Sequence, residues 1–305
     1  MIKKKSAKKN IIITGALGQD GIILSKMLNS KRYKVIGLIQ RSPTTKIKNV
    51  IYKKIDLDNF KKLFIFIKKL DPVTLIHFGS KNPSFEENKQ KKKNFYKHNF
   101  KVTKNLIDCF THFKNRKLII IGSSQMYKNS DKKITLDTNF RNSSPYTRFR
   151  IDSFNYMIKK KITYNSNMVM AILFNHDSIF RNKKFLIPRL VKIVKNKNFN
   201  QIQKIYDENI SGDFSHADDI CRGILKLINT KKNPNKLIFS SNKRFHINDI
   251  INYLLKINRI NKKFIKKHNK QNQASIGDNS YTKKLLNWNL KKNIFIAVKE
   301  LNMSI

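Results

Sequence analysis

Short apolar runs alternate with helical spacings along the first half of the chain. The runs predict buried strands over Asn10–Thr14, Lys34–Ile39, Val50–Asp56, Val73–Gly79 and Lys117–Gly122. A helix is predicted over Gln19–Leu28, and Val102, Leu106, Ile107 and Phe110 have the spacing of one helix face. A repeated strand, helix, strand order predicts an α/β fold with a parallel, doubly wound sheet.

The pattern weakens in the second half of the chain. A helix is predicted from Pro145, with Ile151, Phe154 and Ile158 on one stripe, and a strand follows over Met168–Phe174. A further helix carries Ile220, Ile224, Leu227 and Ile228, a short strand spans Lys236–Ser240, and the remainder is lysine-rich and helical. No Pro/Gly/Ser linker separates the halves, so we expect the second part to pack directly on the first.

Composition adds a strong positive charge to this picture. The 305 residues carry a formal net charge of +46, and the 40% of hydrophobic residues are enough for a globular core. The lysines are scattered through every segment rather than gathered on one helix or tail. We therefore favour a solvated basic surface over a specific nucleic-acid partner, and we treat any one Lys or Arg as weak evidence of a site.

Several other classes of protein find little support. The two cysteines, Cys109 and Cys221, cannot form a disulfide framework, and MIKKKSAKKN runs into IIITG without the apolar region of a signal peptide. No apolar run approaches the roughly 20 residues of a membrane span. His77, His176 and His216 lack helical metal-ligand spacing. We expect a cytoplasmic protein with no metal site and no membrane contact.

The chemistry begins at a glycine-rich loop between the first strand and the first helix. Gly15, Gly18 and Gly21 have the spacing G-x-x-G-x-x-G, which allows a tight turn and lets a pyrophosphate approach a helix N-terminus. This setting favours dinucleotide binding over a glycine turn that binds nothing. Where an NAD site has an acidic residue, about 20 positions on, the chain has Arg41. Arg41 suits the 2′-phosphate of NADP, or it is one of many surface cations.

With TGALGQDG the chain resembles the extended short-chain dehydrogenase/reductases, and within them the GDP-mannose 4,6-dehydratases. Further matches follow in order: RSPT, IDL, HFGS, GSSQMY, SSPY, LFNHDSIFR, GDFSHADD and GDNSYTKKLLNWN. The resemblance implies a Rossmann-type NADP-binding domain over residues 1–174 and a smaller, mainly substrate-binding part over 175–305. A segment near 213–245 is expected to return to the first domain.

The resemblance also implies roles for individual residues. The residues implied to hold NADP are Gly15, Ala16, Leu17, Gly18, Gln19, Asp20, Gly21, Arg41, Asp56, Leu57, Phe78, Gly79, His176 and Arg181. Ser123 and Tyr146 are implied to be catalytic, and Asn175 to face the nucleotide-activated hexose, with GDP-mannose the first candidate. In the family the chemistry begins with hydride transfer from C4 of the hexose to NADP.

The chain departs from the family pattern at several positions. Arg150 stands where the family has a lysine four residues after the tyrosine, and Gln125 where it has a glutamate. Gly212 stands where an arginine is usual. The arm after the second strand, which helps the family form tetramers, is short, so a homodimer is favoured over a tetramer.

The first departure bears on the tyrosine. A phenol has a pKa of about 10, so it works as a base near pH 7 only beside a cation. Arg150 can supply that field, although a guanidinium cannot shuttle a proton. Tyr156 and Lys160 offer a rival pair, but ten residues move about 15 Å along a helix, so both tyrosines cannot serve one nicotinamide. The SSP before Tyr146 and its distance from Ser123 favour Tyr146.

The second departure bears on dehydration. Once C4 is a ketone, a carboxylate can remove the C5 proton while the C6 hydroxyl leaves, and the amide of Gln125 cannot. Either Asp177 substitutes, although it also suits a turn-stabilising role, or dehydration is lost and the site acts as a 4-epimerase or 4-keto reductase. A different class remains open: a dinucleotide-binding protein without catalysis that serves as a sensor or scaffold.

Overall fold

We describe the chain from a computed structural model. It describes residues 8–28, 32–43, 46–80, 89–266 and 272–305. Within these ranges, no helix has both the length and the apolar character needed to cross a membrane. The same ranges hold no group of three His, Cys, Asp or Glu side chains placed to bind a metal ion.

The strands form one large sheet and two small ones. Their bounds are β1 Lys9–Thr14, β2 Tyr33–Ile39, β3 Val50–Lys54, β4 Thr74–His77, β5 Lys117–Ser123, β6 Asn167–Leu173, β7 Asn175–Asp177, β8 Ile210–Gly212, β9 Phe214–His216, β10 Lys236–Phe239, β11 Phe245–His246 and β12 Asn272–Gln273. The seven-stranded sheet has the order β10-β6-β5-β4-β1-β2-β3, and the small sheets are β11-β8-β12 and β7-β9. β1 pairs in parallel with β2 and β4, β2 with β3, and β4 with β5. The predicted parallel α/β fold is confirmed.

Ten helices are described. Their bounds are α1 Gln19–Leu28, α2 Phe60–Leu70, α3 Lys89–Phe110, α4 Pro145–Tyr164, α5 Leu186–Lys195, α6 Phe199–Asp207, α7 Ala217–Asn229, α8 Ile247–Ile257, α9 Ser280–Leu286 and α10 Ile294–Ser304. α2 lies where the sequence analysis assigns no element. Asn59 caps it by accepting a hydrogen bond from the Lys62 amide, and Leu63 and Ile67 are buried one turn apart.

Burial explains why the apolar runs became strands. Ile11, Ile12 and Ile13 of β1 are fully buried, and all four residues of β4 are buried, as expected for strands covered on both faces. β3 differs because, among the strands of the described residues, it is the last of the sheet and pairs only with β2. It ends at Lys54, two residues before the predicted end at Asp56, whose carboxylate instead accepts a hydrogen bond from the Asp58 amide at 2.9 Å.

The predicted apolar stripe of α4 is not its buried face. Ile151, Phe154 and Ile158 are only half-buried. The buried positions are Tyr146, Thr147, Phe149, Arg150, Ser153 and Met157. The helix predicted from Pro145 is confirmed, and its most buried face also includes two polar side chains, Arg150 and Ser153, with hydrogen-bond partners close by, which apolar spacing alone cannot indicate.

The chain forms two compact units that interleave along the sequence. The first unit comprises Met1–Gly122, Asn142–Ala171 and Leu227–Lys236, and the second comprises Ser123–Arg141, Ile172–Lys226 and Leu237–Ile305. The sequence prediction instead divides the chain once, at residue 174, with a later segment returning. Within the first unit, Lys117 Nζ donates to the Leu227 carbonyl, and Lys161 Nζ donates to the Asn233 carbonyl at 2.9 Å, which ties Leu227–Lys236 to that unit.

The second unit has a core of its own. Its buried apolar side chains come from α5, α6, α8 and α10, and they include Ile187, Ile250 and Val298. A separate polar contact joins β9 to α10, because His216 Nε2 lies 2.9 Å from a Glu300 carboxylate oxygen. His216 Nδ1 accepts the Asp218 amide, so this histidine starts α7, as the sequence analysis expects of a structural residue before a helix N-terminus.

Candidate functional site

The glycine loop of the first unit is a tight turn between β1 and α1. Gly15 has φ +68°, a conformation that favours glycine, and a Cβ there would lie 2.8 Å from the Gly79 amide nitrogen. A Cβ on Gly21 would lie 2.3 Å from the Gly15 carbonyl oxygen, while the Gly18 amide donates to that oxygen at 2.9 Å. The predicted residues Gly15 and Gly79 are thus brought together, and neither Gly15 nor Gly21 tolerates a side chain.

Parallel pairing brings other predicted cofactor residues to the same edge of the sheet. Gly15 follows β1, Arg41 follows β2, Asp56 follows β3 and Phe78 follows β4, so all four lie beyond the carboxyl ends of neighbouring strands. Arg41 and Asp56 are exposed.

The other predicted cofactor-binding residues of the first unit are held by hydrogen bonds or by burial. The Gln19 side-chain amide donates to the Asp20 carboxylate at 3.2 Å, and the Leu57 carbonyl accepts a hydrogen bond from Asn105 Nδ2 at 2.9 Å. Ala16 is buried, and Leu17 is half-buried. Ala16, Leu17 and Leu57 thus have apolar side chains, and Gln19 and Asp20 bond to each other.

A buried hydrogen-bond chain runs behind the loop. The Gly79 amide donates to Thr14 Oγ1 at 3.0 Å, and Thr14 Oγ1 lies 2.7 Å from His77 Nδ1. On the other side, His77 Nε2 lies 3.2 Å from Thr103 Oγ1, whose proton is donated to the Asn99 carbonyl. The Thr103 hydroxyl already donates its proton to the Asn99 carbonyl, so it can only accept from His77. His77 therefore donates from Nε2 and accepts from the Thr14 hydroxyl at Nδ1. The histidine is therefore the neutral Nε2–H tautomer.

Tyr146 and Arg150 lie one turn apart on α4, and both are more than nine-tenths buried. The Arg150 guanidinium carbon lies 4.8 Å from the centre of the Tyr146 ring and 5.0 Å from that of Phe149. Arg150 Nη2 donates to Ser80 Oγ at 3.0 Å, and Nη1 donates to the Ile121 carbonyl. The cation is thus fixed beside the predicted catalytic tyrosine.

The charge of Arg150 is not neutralised by any carboxylate in the described part of the chain. Its Nε is buried without a hydrogen-bond partner, and it borders a small cavity with room for about one water molecule. His77, Ser80, Thr103 and Ser153 also line this cavity. Burial, and then the Arg150 charge, lower the pKa of His77 to about 3. The pKa of the buried His77 thus responds to the positive charge of Arg150.

The rival pair on α4 has different surroundings. The Tyr156 hydroxyl donates to Asp108 Oδ1 at 2.6 Å, and Lys160 Nζ lies 3.7 Å from the same oxygen. Lys104 Nζ donates to the other Asp108 oxygen at 2.8 Å. Burial and the hydrogen bond to Asp108 raise the pKa of Tyr156. Tyr156 is therefore held as a protonated donor within this cluster.

Two further predicted catalytic residues lie in the second unit. Ser123 ends β5 and caps a short 3-10 turn over Ser124–Met126, where its Oγ accepts a hydrogen bond from the Gln125 amide at 3.2 Å. Ser123 is half-buried and Gln125 is exposed. Ser123 and Gln125 thus lie two positions apart, at the last residue of the strand and within the turn that follows it.

The segment after Phe174 carries the remaining predicted residues. Asn175 is exposed, and His176 is buried with Nδ1 donating to the Phe174 carbonyl at 2.6 Å. Asp177 is only 5% exposed, and its Oδ1 lies 3.5 Å from Arg181 Nε. The Arg181 guanidinium stacks on the Phe185 ring at 3.7 Å. Asp177 and Arg181 thus neutralise each other.

Sequence reasoning assigned no individual role to Ser80, and it considered His77 only as a metal ligand. Ser80 is 70 residues from its partner Arg150, so no local pattern reveals the contact. His77 stands inside a buried strand, and its polarity is the one available signal, because a buried polar side chain requires partners.

Solved structures of nucleotide-sugar enzymes share this fold. A dTDP-glucose 4,6-dehydratase from Bacillus anthracis, in complex with NAD, has a TM-score of 0.80 at 16% identity and covers 97% of this chain and 96% of its own. A UDP-glucuronic acid 4-epimerase from Bacillus cereus, in complex with UDP-glucuronic acid and NAD, has a TM-score of 0.81 at 20% identity, with 97% and 98% covered. At these identities the likeness establishes the fold.

Curated relatives and a family model extend the comparison to sequence. The GDP-mannose 4,6 dehydratase of Dictyostelium discoideum is 24% identical over 96% of this chain and 95% of its own. GDP-mannose 4,6 dehydratase 2 of Caenorhabditis elegans is 22% identical over 82% of this chain and 71% of its own. Residues 11–240, well over half of the chain, match the family model, and the chain therefore belongs to the NAD dependent epimerase/dehydratase family.

Proposed function

We propose that this protein oxidises C4 of a nucleotide-activated hexose with NADP as the hydride acceptor, and that GDP-mannose is the first substrate to test. The observation that carries the proposal is the buried Tyr146–Arg150 pair, in which an unneutralised guanidinium lies 4.8 Å from the centre of the tyrosine ring. The nucleotide-sugar enzymes with this fold and the GDP-mannose 4,6 dehydratase relatives support the choice of substrate class.

The glycine loop fits a dinucleotide. Side chains at Gly15 and Gly21 would collide with backbone, and the loop leads directly into the N-terminus of α1, where free amides and the helix dipole favour a pyrophosphate. When bound, the nicotinamide would supply the acceptor for a hydride. The chain itself would hold the cofactor through the loop and through Arg41, Asp56 and Phe78 at the same sheet edge.

Arg41 supports NADP rather than NAD, because its exposed guanidinium follows β2, where the family's ribose contacts arise. A charge-assisted contact to the 2′-phosphate contributes on the order of 1.5–3 kcal/mol. Titration of both cofactors against wild type and Arg41→Ala tests this. We expect tighter binding of NADP than of NAD by wild type, and a selective loss of NADP affinity in the variant. Equal wild-type affinity for both would overturn the assignment.

Tyr146 is proposed to accept the proton of the C4 hydroxyl. Arg150 would place a buried positive charge beside this ring, and its hydrogen-bond partners, Ser80 and the Ile121 carbonyl, are neutral.

The test is to incubate purified protein with NADP and a panel of GDP-, UDP-, CDP- and dTDP-hexoses, and to identify products by mass. A product lighter by one water indicates dehydration, and an isomer of unchanged mass indicates epimerisation. In a parallel incubation with NADPH and a nucleotide-linked 4-keto sugar, a gain of two hydrogens indicates reduction. NADP binding without turnover of any hexose would contradict the proposal and favour a binding protein without catalysis.

A second candidate, a 4-epimerase, is favoured by one specific observation about carboxylates. Gln125 is an amide, and the nearest alternative in the sequence reasoning, Asp177, is buried and neutralised by Arg181. C4 oxidation and return of the hydride need neither group, whereas dehydration needs a base for the C5 proton. General-base assistance is worth about 10²–10⁴-fold.

Gln125→Glu separates the two candidates. If the missing carboxylate limits dehydration, this variant gains a product lighter by one water, while C4 oxidation changes little. Gln125→Met is the matched control, because it has similar length and no basic atom. Rapid dehydration of GDP-mannose by wild type, with no gain in Gln125→Glu, would show that the proton leaves through another residue.

A further inference from the structure

A small cavity in the first unit is lined by a buried cation. Arg150 is 7% exposed, and its Nε is buried without a hydrogen-bond partner in the described part of the chain. The cavity has room for about one water molecule. A buried N–H group without an acceptor is costly, so a ligand that accepts a hydrogen bond from Nε would stabilise this arrangement.

The hydroxyl groups around the cavity differ in whether their protons are already used. The Ser80 hydroxyl oxygen accepts from Arg150 Nη2 at 3.0 Å, so its own proton stays available to a ligand. Thr103 and Ser153 also line the cavity, but each donates its proton to a backbone carbonyl of its own helix, at 2.8 and 2.6 Å. The donors left for a ligand are therefore the Arg150 Nε–H and the Ser80 hydroxyl.

The charge of Arg150 favours an anion over a neutral ligand. Its hydrogen-bond partners, Ser80 and the Ile121 carbonyl, are neutral, and no carboxylate of the described residues contacts it. His77, which also lines the cavity, is the neutral Nε2–H tautomer. Removing a charge from water is costly unless an opposite charge compensates it, and a water molecule in the cavity would leave Arg150 uncompensated.

Another buried cation of the first unit shows how such a charge is otherwise compensated. Lys117 is 4% exposed, and its Nζ donates to the carbonyls of Leu227 and Thr230. Both carbonyls lie at the C-terminal end of α7, which is the negative end of the helix dipole. Arg150 instead lies in the second turn of α4, closer to the positive end of that helix. The fold therefore provides a negative potential for Lys117 and none of this kind for Arg150.

We propose that this cavity binds one monatomic anion, such as chloride, between Arg150 Nε and the Ser80 hydroxyl. The anion accepts from both donors and compensates the charge of Arg150. Space for about one water molecule excludes phosphate, sulfate and carboxylates, which are polyatomic. The binding site rests on these groups alone. Its consequence rests on the proposed function, because a bound anion cancels the positive charge beside the Tyr146 ring and slows C4 oxidation.

Thermal melting in sodium chloride and in sodium gluconate, at equal ionic strength, tests the binding. Gluconate is too large for the cavity, and both salts screen surface charges alike. We expect saturating chloride to raise the melting temperature of wild type above its value in gluconate by about 2–4 °C, and this excess to vanish in Arg150→Met. An equal excess in Arg150→Met and in wild type would overturn the proposal.

Lys160→Met is the matched control for Arg150→Met. It removes a cation from the same helix, but one whose Nζ lies 3.7 Å from an Asp108 carboxylate oxygen. Because that charge already has a partner, Lys160→Met should keep the chloride excess of wild type. Loss of the excess in Lys160→Met as well would assign it to the general basicity of the chain and contradict the cavity.

Ser80→Ala tests the second donor, and it keeps the binding testable if Arg150→Met does not fold. It retains the charge and removes one hydrogen bond, so the chloride concentration of half effect should rise by about 5- to 10-fold. Ser153→Ala is its matched control, because it removes a hydroxyl from the same cavity whose proton is already used, and it should shift that concentration less. Equal shifts in both variants, or none in either, would contradict the proposal.

Anomalous diffraction at the bromine edge, from crystals soaked in sodium bromide, tests the position. We expect one ordered bromide within hydrogen-bond distance of Arg150 Nε and Ser80 Oγ in wild type, and none there in Arg150→Met. A cavity that holds only a water molecule overturns the proposal, even where bromide binds elsewhere on the basic surface.

The two proposals fail separately. If bromide occupies the cavity but no hexose is oxidised, the proposed reaction is wrong and the anion site stands. If a nucleotide sugar is turned over and the cavity takes up no bromide, the anion site is wrong and the reaction stands. If both hold, saturating chloride should slow single-turnover C4 oxidation by about 10-fold in wild type and leave Arg150→Met unchanged.

Discussion

Helix α4 carries two tyrosines that are each followed by a basic residue four positions later, and their surroundings give them opposite properties. At Tyr146, the cation Arg150 contacts the ring face and bonds to neutral oxygens. At Tyr156, the cation Lys160 shares the Asp108 carboxylate with the tyrosine hydroxyl. The motif Y-x-x-x-K is complete only in the second pair, yet it is the cation of the first pair, Arg150, that has no carboxylate partner in the described part of the chain.

The difference shows that the partner of the cation matters more than its residue type. Asp108 compensates Lys160 and raises the pKa of Tyr156 through its hydrogen bond, so this pair favours a protonated phenol. Arg150 is 7% exposed and uncompensated by any described carboxylate, whereas the Lys160 side chain is 25% exposed. An uncompensated buried charge acts more strongly on its neighbours than a solvated, paired one.

The largest effect on the rate is expected when the two tyrosines are replaced in turn. Tyr146→Phe should lower C4 oxidation by about 10²–10⁴-fold, because it removes the proton acceptor and keeps the ring. Tyr156→Phe should change the rate less than about threefold, since its hydroxyl serves Asp108. The measurement is single-turnover NADPH formation with the preferred nucleotide sugar. Loss of activity in Tyr156→Phe alone would make Lys160 the working cation.

A smaller effect is expected at the cations. Arg150→Met should lower C4 oxidation by about 10- to 100-fold, because it removes the buried positive charge beside the proposed proton acceptor. Lys160→Met should change the rate less than about threefold. Arg150→Lys serves as the check on folding and should restore most of the rate. An unchanged rate in Arg150→Met would show that the guanidinium does not assist the tyrosine.

The smallest effect uses His77 as a reporter of the Arg150 charge. The pKa of His77 is about 3 in the folded protein, below its usual 6.5, so the unfolded chain takes up a proton first and stability falls as the pH drops from 6.5 to 3. The slope reaches at most about 1.4 kcal/mol per pH unit.

Urea unfolding at pH 7, 5 and 4 measures this slope. Arg150→Met should reduce the loss on the acid side, because it removes the charge that helps to lower the pKa of His77, and Lys160→Met should not. His77→Gln controls for the contribution of other groups. Parallel slopes in Arg150→Met and Lys160→Met would show that His77 does not sense Arg150.

Much of the sheet could be predicted because its strands are covered on both faces. Three consecutive buried isoleucines made β1 evident, and α1 begins and ends at the predicted residues, since the glycine loop marks its start. The predicted strand at Val50 extended too far because an edge strand has no second neighbour to continue its pairing.

The polar part of the candidate site was harder to predict, because its contacts join distant segments. Ser80 reaches Arg150 across 70 residues, and Ile121 reaches it across 29. On α4, the burial of Arg150 and Ser153 depends on acceptors that an apolar periodicity does not reveal. The family resemblance made Tyr146 and Arg150 candidates, and the fold adds what surrounds them.

The open edge of the large sheet has a consequence for how this chain behaves at high concentration. Within the described ranges β3 pairs only with β2, and it carries a 38% exposed isoleucine, Ile51, which makes it a template for strand pairing between molecules. Lys53 and Lys54 are both exposed on this short strand. Bringing two such edges together would oppose like charges, so the lysine content that says little about function protects the chain against aggregation, a protection that high salt should weaken.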